Sequence, residues 1–148
     1  MTSEPDSLHP RLESLLAYWF VKSAGRKMPS RAGMPLKDWE RWHRNLALFE
    51  VVQYGALRLY ECRLSAADLF ERFGCEATGL SVDALKPSIR FELRADLEAA
   101  FLRKAPVFAR RRLWSGTSLL IFCDLVLPLS EKGETVDSLL FASYPATE

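Results

Sequence analysis

The chain is poor in the residues that announce a chemistry. It holds two histidines and three cysteines in 148 residues. Cys62, Cys75 and Cys123 are an odd number without metal-ligand spacing, which fits reduced thiols in the cytosol. Neither sign of charge dominates: 20 Lys and Arg stand against 19 Asp and Glu, a net charge of +1. Bulk electrostatics therefore recruit neither nucleic acid nor an anionic membrane. No apolar run approaches the ~20 residues that span a bilayer. The start, MTSEPDSLHP, is polar and acidic, unlike a secretory signal. A phosphate-cradling glycine loop, paired carboxylates and a nucleophile with its base are all missing, so no enzyme is expected.

What the chain has in quantity is apolar surface. Hydrophobic residues make up 49%, with nine Phe and four Trp. Folding at this length buries roughly 70% of the surface of the unfolded chain, enough for a sizeable core or an internal pocket. Residues 1–7 read as a frayed tail and 8–148 as one domain. Leu8, Leu12, Leu15, Leu16, Trp19 and Phe20 recur at helical spacing, and Gly25 is placed to end that helix. A connector with two prolines follows, then a short helix over 36–44 carrying Trp39 and Trp42. Strands are expected over 46–52 and 56–64, with Gly55 near their turn.

The stretch LFERFGCEATGLSVDAL, 69–85, carries two glycines in an apolar connector. Ser65 is the expected N-cap of a short helix, with Asp68 in its first turn, and Gly74 its end, because glycine adopts positive φ without a steric penalty. Gly79 permits a second reversal, Pro87 closes the next segment, and Ser88 caps a long helix lined by Ile89, Leu93, Leu97, Ala100 and Phe101. Three strand candidates follow: VFARRRLW, TSLLIFCDLVLPL and TVDSLLFASY. Their short glycine-bearing connections join antiparallel neighbours.

Two strands, short helices and a three-stranded antiparallel meander is the element order of the PAS fold. The chain also resembles a family of short bacterial PAS-like proteins, over about residues 10–145. The residues that carry the resemblance are Pro29 and Arg31, Arg63, Phe73, Gly74 and Gly79, then Leu127 to Ser130 with Gly133. It departs from the pattern at Ser65-Ala66, where a glycine–threonine pair is usual. The resemblance implies an α+β, PAS-like domain: a five-stranded antiparallel sheet, short helices over one face, and an N-terminal helix. It further implies a sensory or regulatory role through a small ligand, a protein partner, or both. A ligand-free scaffold is the alternative, and a small enzyme using Asp124 or Arg111 a remoter one. The chain ends four residues after Tyr144, so the output is expected to be protein contact in the cytoplasm.

The residues narrow the cofactor. Haem-binding PAS domains commonly use a histidine on the long helix, and 88–104 has none; His9 and His43 lie elsewhere. Light-sensing flavin domains need a cysteine in an Asn-Cys-Arg-Phe context, and Cys75 sits in FGCEATG. Haem and flavin are not expected, no metal site is, and an unidentified small molecule remains open. The pocket walls are expected to include Phe70, Leu80, Leu85, Phe91, Leu97, Phe101, Arg111 and Phe122. Asp124, alone in an apolar strand, is expected on the outer sheet face, paired with an arginine of the next strand. Arg111 either meets an acidic group inside or marks a bulge. Leu12, Leu16, Trp19, Phe108, Arg110, Arg112 and Trp114 are the candidate face for a covering helix, a partner or a second copy, with a solvated face as the plain alternative.

Overall fold

The computed structural model of the chain describes residues 8–146, so the tail expected over 1–7 lies outside them. Helix α1 spans Pro10–Ser23, opened by a proline at its first position and by His9, whose Nδ1 accepts from Arg11 N at 3.0 Å. The chain turns left-handed at Ala24 and stays so at Gly25, which has φ +86° as expected past the helix end.

The connector that follows explains the first and last pieces of the family resemblance. Ser130 N donates to the Pro29 carbonyl at 2.9 Å, and Arg26 Nη2 returns a bond to Ser130 O at 2.8 Å. Arg31 N donates to Glu131 Oε2 at 2.8 Å, while Gly133 N donates to Ser130 Oγ at 2.8 Å. These residues therefore staple the connector onto a distant strand turn. Single 3-10 turns at Leu36–Trp39 and His43–Asn45 replace the expected short helix and bury Trp39 and Trp42.

The strands are β1 (Leu46–Tyr54), β2 (Leu57–Ser65), β3 (Val107–Ser115), β4 (Ser118–Leu129) and β5 (Ser138–Pro145). They form one antiparallel sheet in the order β2-β1-β5-β4-β3. Arg63, the strand arginine of the family pattern, is skipped where the β1–β2 register shifts between Leu48 and Phe49. One sheet face carries α1, whose Leu12, Leu15 and Trp19 pack on it and whose Trp19 Nε1 donates to Pro128 O at 2.9 Å. The other carries α2 (Phe70–Phe73) and α3 (Pro87–Arg103). Most of β4 and all but the last residue of β5 are thus covered on both sides, which is why they read as unbroken apolar runs.

Between β2 and α3 the two glycines reverse the chain as expected, Gly74 at φ +88° and Gly79 at φ +90°. The capping assignments differ. Ser65 closes β2 and its buried hydroxyl has no partner, while Ala66 is the residue before the first helical turn. Pro87 opens α3 instead of closing the segment before it, since proline's fixed φ suits a first helical position. A side chain at Gly74 would need positive φ and would meet the Lys86 side chain at 3.0 Å. Gly74→Val is expected to cost about 1–3 kcal/mol, read as a lower midpoint in thermal or urea unfolding.

Candidate functional site

Strand register decides which side chains face the helices. Phe122, Asp124 and Val126 of β4 stand opposite Arg111, Ala109 and Val107 of β3. On its other side Asp124 stands opposite Ser143 of β5. This is the face covered by α2 and α3, so Asp124 points inward, contrary to expectation. Its partner is Arg72 of α2: Nη1 lies 2.6 Å from Oδ1 and Nη2 3.1 Å from Oδ2, and Nη1 also donates to Ser143 Oγ. The guanidinium lies 4.5 Å from the Phe122 ring centre. Both members of the pair are buried. Removed from water, a carboxylate needs a cation with matched geometry, and the planar guanidinium fork supplies it.

Arg111 also faces inward, in regular register with Phe122, so it marks no bulge. Its Nη2 lies 2.5 Å from Asp96 Oδ1 of α3, with Glu92 Oε1 at 3.8 Å from Nε. Burial raises the Asp96 carboxyl above the ordinary range despite that arginine. A third polar group ties α3 to β2: Glu98 accepts from both Arg58 and Tyr60. Burial pushes the Tyr60 hydroxyl up to about 12. Burial opposes ionisation of Glu98, but the bonds from Arg58 and Tyr60 outweigh it and hold its carboxyl below the usual range. A depressed carboxylate adds stability above its unfolded pKa and loses it as pH falls through the folded one. Glu98→Gln is therefore expected to lower the melting temperature at pH 7, with the gap to wild type shrinking below about pH 4.

The expected pocket walls separate into three groups. Leu85 and Leu97 are fully packed in the core. Phe101 lies under the Arg58 guanidinium at 4.2 Å, and Phe122 lies under Arg72. Phe91 is a correction: it is 67% exposed on the outer side of α3, and Phe70 and Leu80 are also exposed. The space between sheet and helices is filled instead by Phe49, Tyr60, Phe73 and Phe141, each at 0% exposure. Phe73 sits 6.3 Å from Phe49 and 5.9 Å from Phe141, centre to centre. A cleft of about 410 Å³ remains beside α2, lined by Arg72, Phe122, Ser143, Asn45, Leu113 and Leu120 among others.

The face on the α1 side also needs correction. Leu12 and Trp19 are buried against the chain's own sheet and offer nothing to a partner. Leu16 is half-buried, whereas Phe108, Arg110, Arg112 and Trp114 stand exposed, Trp114 at 67%. His9 caps α1 and stacks on Tyr144 at 4.9 Å, and His43 Nδ1 lies 2.6 Å from Glu40 O. Burial raises the Cys62 thiol to about 11 and raises that of Cys123. Among the described residues no group of three or more His, Cys, Asp and Glu is placed to hold a metal. No helix among them is long and apolar enough to cross a membrane.

Arg72, Ser143, Tyr60 and Glu98 were not singled out from the sequence. One signal was there: a lone aspartate in an apolar strand requires a cation, and the short apolar helix LFERF contains one.

The strand order, the short helices between β2 and α3 and the covered sheet define a PAS-class fold. No protein-family model and no curated protein matches the chain. Among solved structures, one similar fold is a light-oxygen-voltage domain studied with a flavin analogue: 12% identity, TM-score 0.52, covering 76% of this chain and 84% of that one. A point variant of RsLOV gives 13% identity and TM-score 0.51, covering 74% of this chain and 64% of that one. The RsLOV d2 variant gives 14% and 0.51, covering 73% and 62%. The chain thus spans slightly under two thirds of these RsLOV chains. Light-oxygen-voltage domains belong to the PAS superfamily, and at such identities the likeness is one of fold.

Proposed function

We propose that this chain is a PAS-like regulatory domain that works by protein–protein contact, with its interior serving as a packed core. The observation that carries this is the exposed row Phe108, Arg110, Arg112 and Trp114 on the α1-side face of the sheet, beside the strands β4 and β5 on which α1 packs. Aromatic residues and arginine are the types over-represented in the energetic centres of interfaces. The packed interior supports the same reading. A flavin needs room for a flat three-ring system, and here four fully buried aromatic rings fill the space between helices and sheet. The two strand cysteines, with thiols raised by burial, lack the low pKa of a reactive thiol.

The test is affinity purification of tagged protein from its own host, wild type against a Phe108→Ser/Trp114→Ser variant shown to fold by circular dichroism. Proteins retained by wild type and lost from the variant are expected. An identical set from both removes the reading. A second reading, a small-molecule regulator, is favoured by the cleft beside Arg72, whose lining offers Ser143, Asn45 and the Phe122 ring. Native mass spectrometry of the same preparation tests it: a retained small molecule supports this reading, and a clean apo mass opposes it.

A further inference from the structure

The two edges of the sheet are unlike. Along β2, Cys62 N donates to Leu80 O and Gly79 N to Cys62 O, each at 2.8 Å, and Glu61 bridges Ser81, so that edge is partly covered. Strand β3 is the opposite edge and, among the described residues, is laddered to β4 alone. The turn between them is the two residues Gly116 and Thr117, closing on the pair Ser115–Ser118. A two-residue hairpin closes on a pair that exchanges both bonds, and the pattern then alternates. Val107, Ala109, Arg111 and Leu113 therefore turn their N–H and C=O groups to β4. Phe108, Arg110, Arg112 and Trp114 turn theirs to the open edge.

The same four residues place their side chains on the exposed α1-side face, in the sequence aromatic, cation, cation, aromatic. Arg111, between them, points the other way and is bound to Asp96. No carboxylate among the described residues pairs with Arg110 or Arg112; the contact made by Arg110 is to Cys123 Sγ at 3.8 Å. Two arginines without a carboxylate partner among the described residues thus stand on one face, about 6.8 Å apart along the backbone, at a strand edge laddered on one side only.

We infer that the free edge of β3 takes up an extended acidic segment of a partner protein as an added antiparallel strand. This rests on the proposal that this face is a contact surface, and it names the partner's chemistry. The segment carries carboxylates at alternate positions, opposite Arg110 and Arg112, with apolar residues two positions beyond each end for Phe108 and Trp114. The edge backbone supplies affinity and the side-chain row supplies selection. A second copy of this chain is disfavoured in the registers that overlap the whole row or all but one of its positions. Two-fold pairing about Arg111 sets Arg110 against Arg112, and registers shifted by two residues set an arginine against its own copy. Like charges directly opposite are destabilising, so the arginines that reject self-pairing are those that select an acidic strand.

The experiment uses fluorescein-labelled Val-Thr-Glu-Thr-Glu-Thr-Val and its Lys-for-Glu counterpart, read by anisotropy with the whole protein. Binding is expected for the acidic peptide alone, weakening about tenfold or more between about 50 and about 500 mM salt. Arg110→Glu/Arg112→Glu is expected to reverse the preference. N-methylation of one alternate set of peptide amides is expected to abolish binding and methylation of the other set to spare it, which a purely ionic contact would not do. No binding of the acidic peptide, equal binding of both peptides, indifference to the charge reversal, or tolerance of both methylated sets overturns the inference. If the peptide arms fail while Phe108→Ser/Trp114→Ser still loses partners, the edge site falls and the contact surface stands. If both fail, both fall.

Discussion

Replacing Asp124 by alanine is expected to destabilise the fold by about 3–5 kcal/mol. The loss does not measure the worth of the ion pair; it reflects what remains. Arg72 is 6% exposed, held against the Phe122 ring and bonded to Ser143, and without Asp124 its charge is buried and unmatched. Set against the ~5–15 kcal/mol that such a domain has in total, the variant keeps little margin. Arg72→Met leaves the opposite orphan, a buried carboxylate, and falls by a comparable amount. The double variant Arg72→Met/Asp124→Leu removes both charges and fills the space, so it is expected to lie closer to wild type than either single change. Urea unfolding of wild type, Arg72→Met, Asp124→Leu and the double variant gives the coupling directly. A loss under about 1 kcal/mol for Asp124→Ala would mean that water reaches the pair and that it behaves as a surface contact.

Phe73→Ala carries an effect of similar size, about 3–5 kcal/mol, for an apolar reason. Phe73 is fully buried between Phe49 and Phe141, and the surroundings cannot close over a missing ring without moving the sheet or α2. The same variant tests whether the interior is a core or a ligand chamber. If the rings fill it, Phe73→Ala opens a dry apolar cavity that takes up xenon or benzene while wild type does not. A small stability loss, or wild type binding the probe as readily as the variant, would show that room existed already and would favour the small-molecule reading.

Much of the architecture was legible from local signals. The strand runs are found within a few residues of their expected places, and Gly74 and Gly79 take the positive φ that their positions in an apolar connector call for. The stripe Leu12, Leu15 and Trp19 gave α1. Capping was less legible, because Ser65 is as suitable for a strand end as for a helix cap, and Pro87 marks a boundary without saying on which side the helix lies. The orientation of Asp124 was not legible for a different reason. A half-buried strand advertises its faces by alternation, but most of β4, Asp124 included, is covered by α1 on one side and by α2 and α3 on the other, so the run around Asp124 carries no parity signal. Phe91 misled because α3 has apolar residues on its exposed side as well, and helical spacing alone does not say which of two apolar positions meets the sheet.

The sequence by itself determined the elements and their hinges, and the alternation that puts Phe108, Arg110, Arg112 and Trp114 on one side of a strand. Those are local properties, set by backbone sterics and by a period of 2 or 3.6 residues. Only the tertiary structure decided that Arg72 reaches Asp124 across 52 residues, that aromatic rings fill the interior, and that β3 is the sheet's open edge. Such outcomes depend on which elements come to lie against each other, and a buried charge or a free edge exists only once that packing is in place.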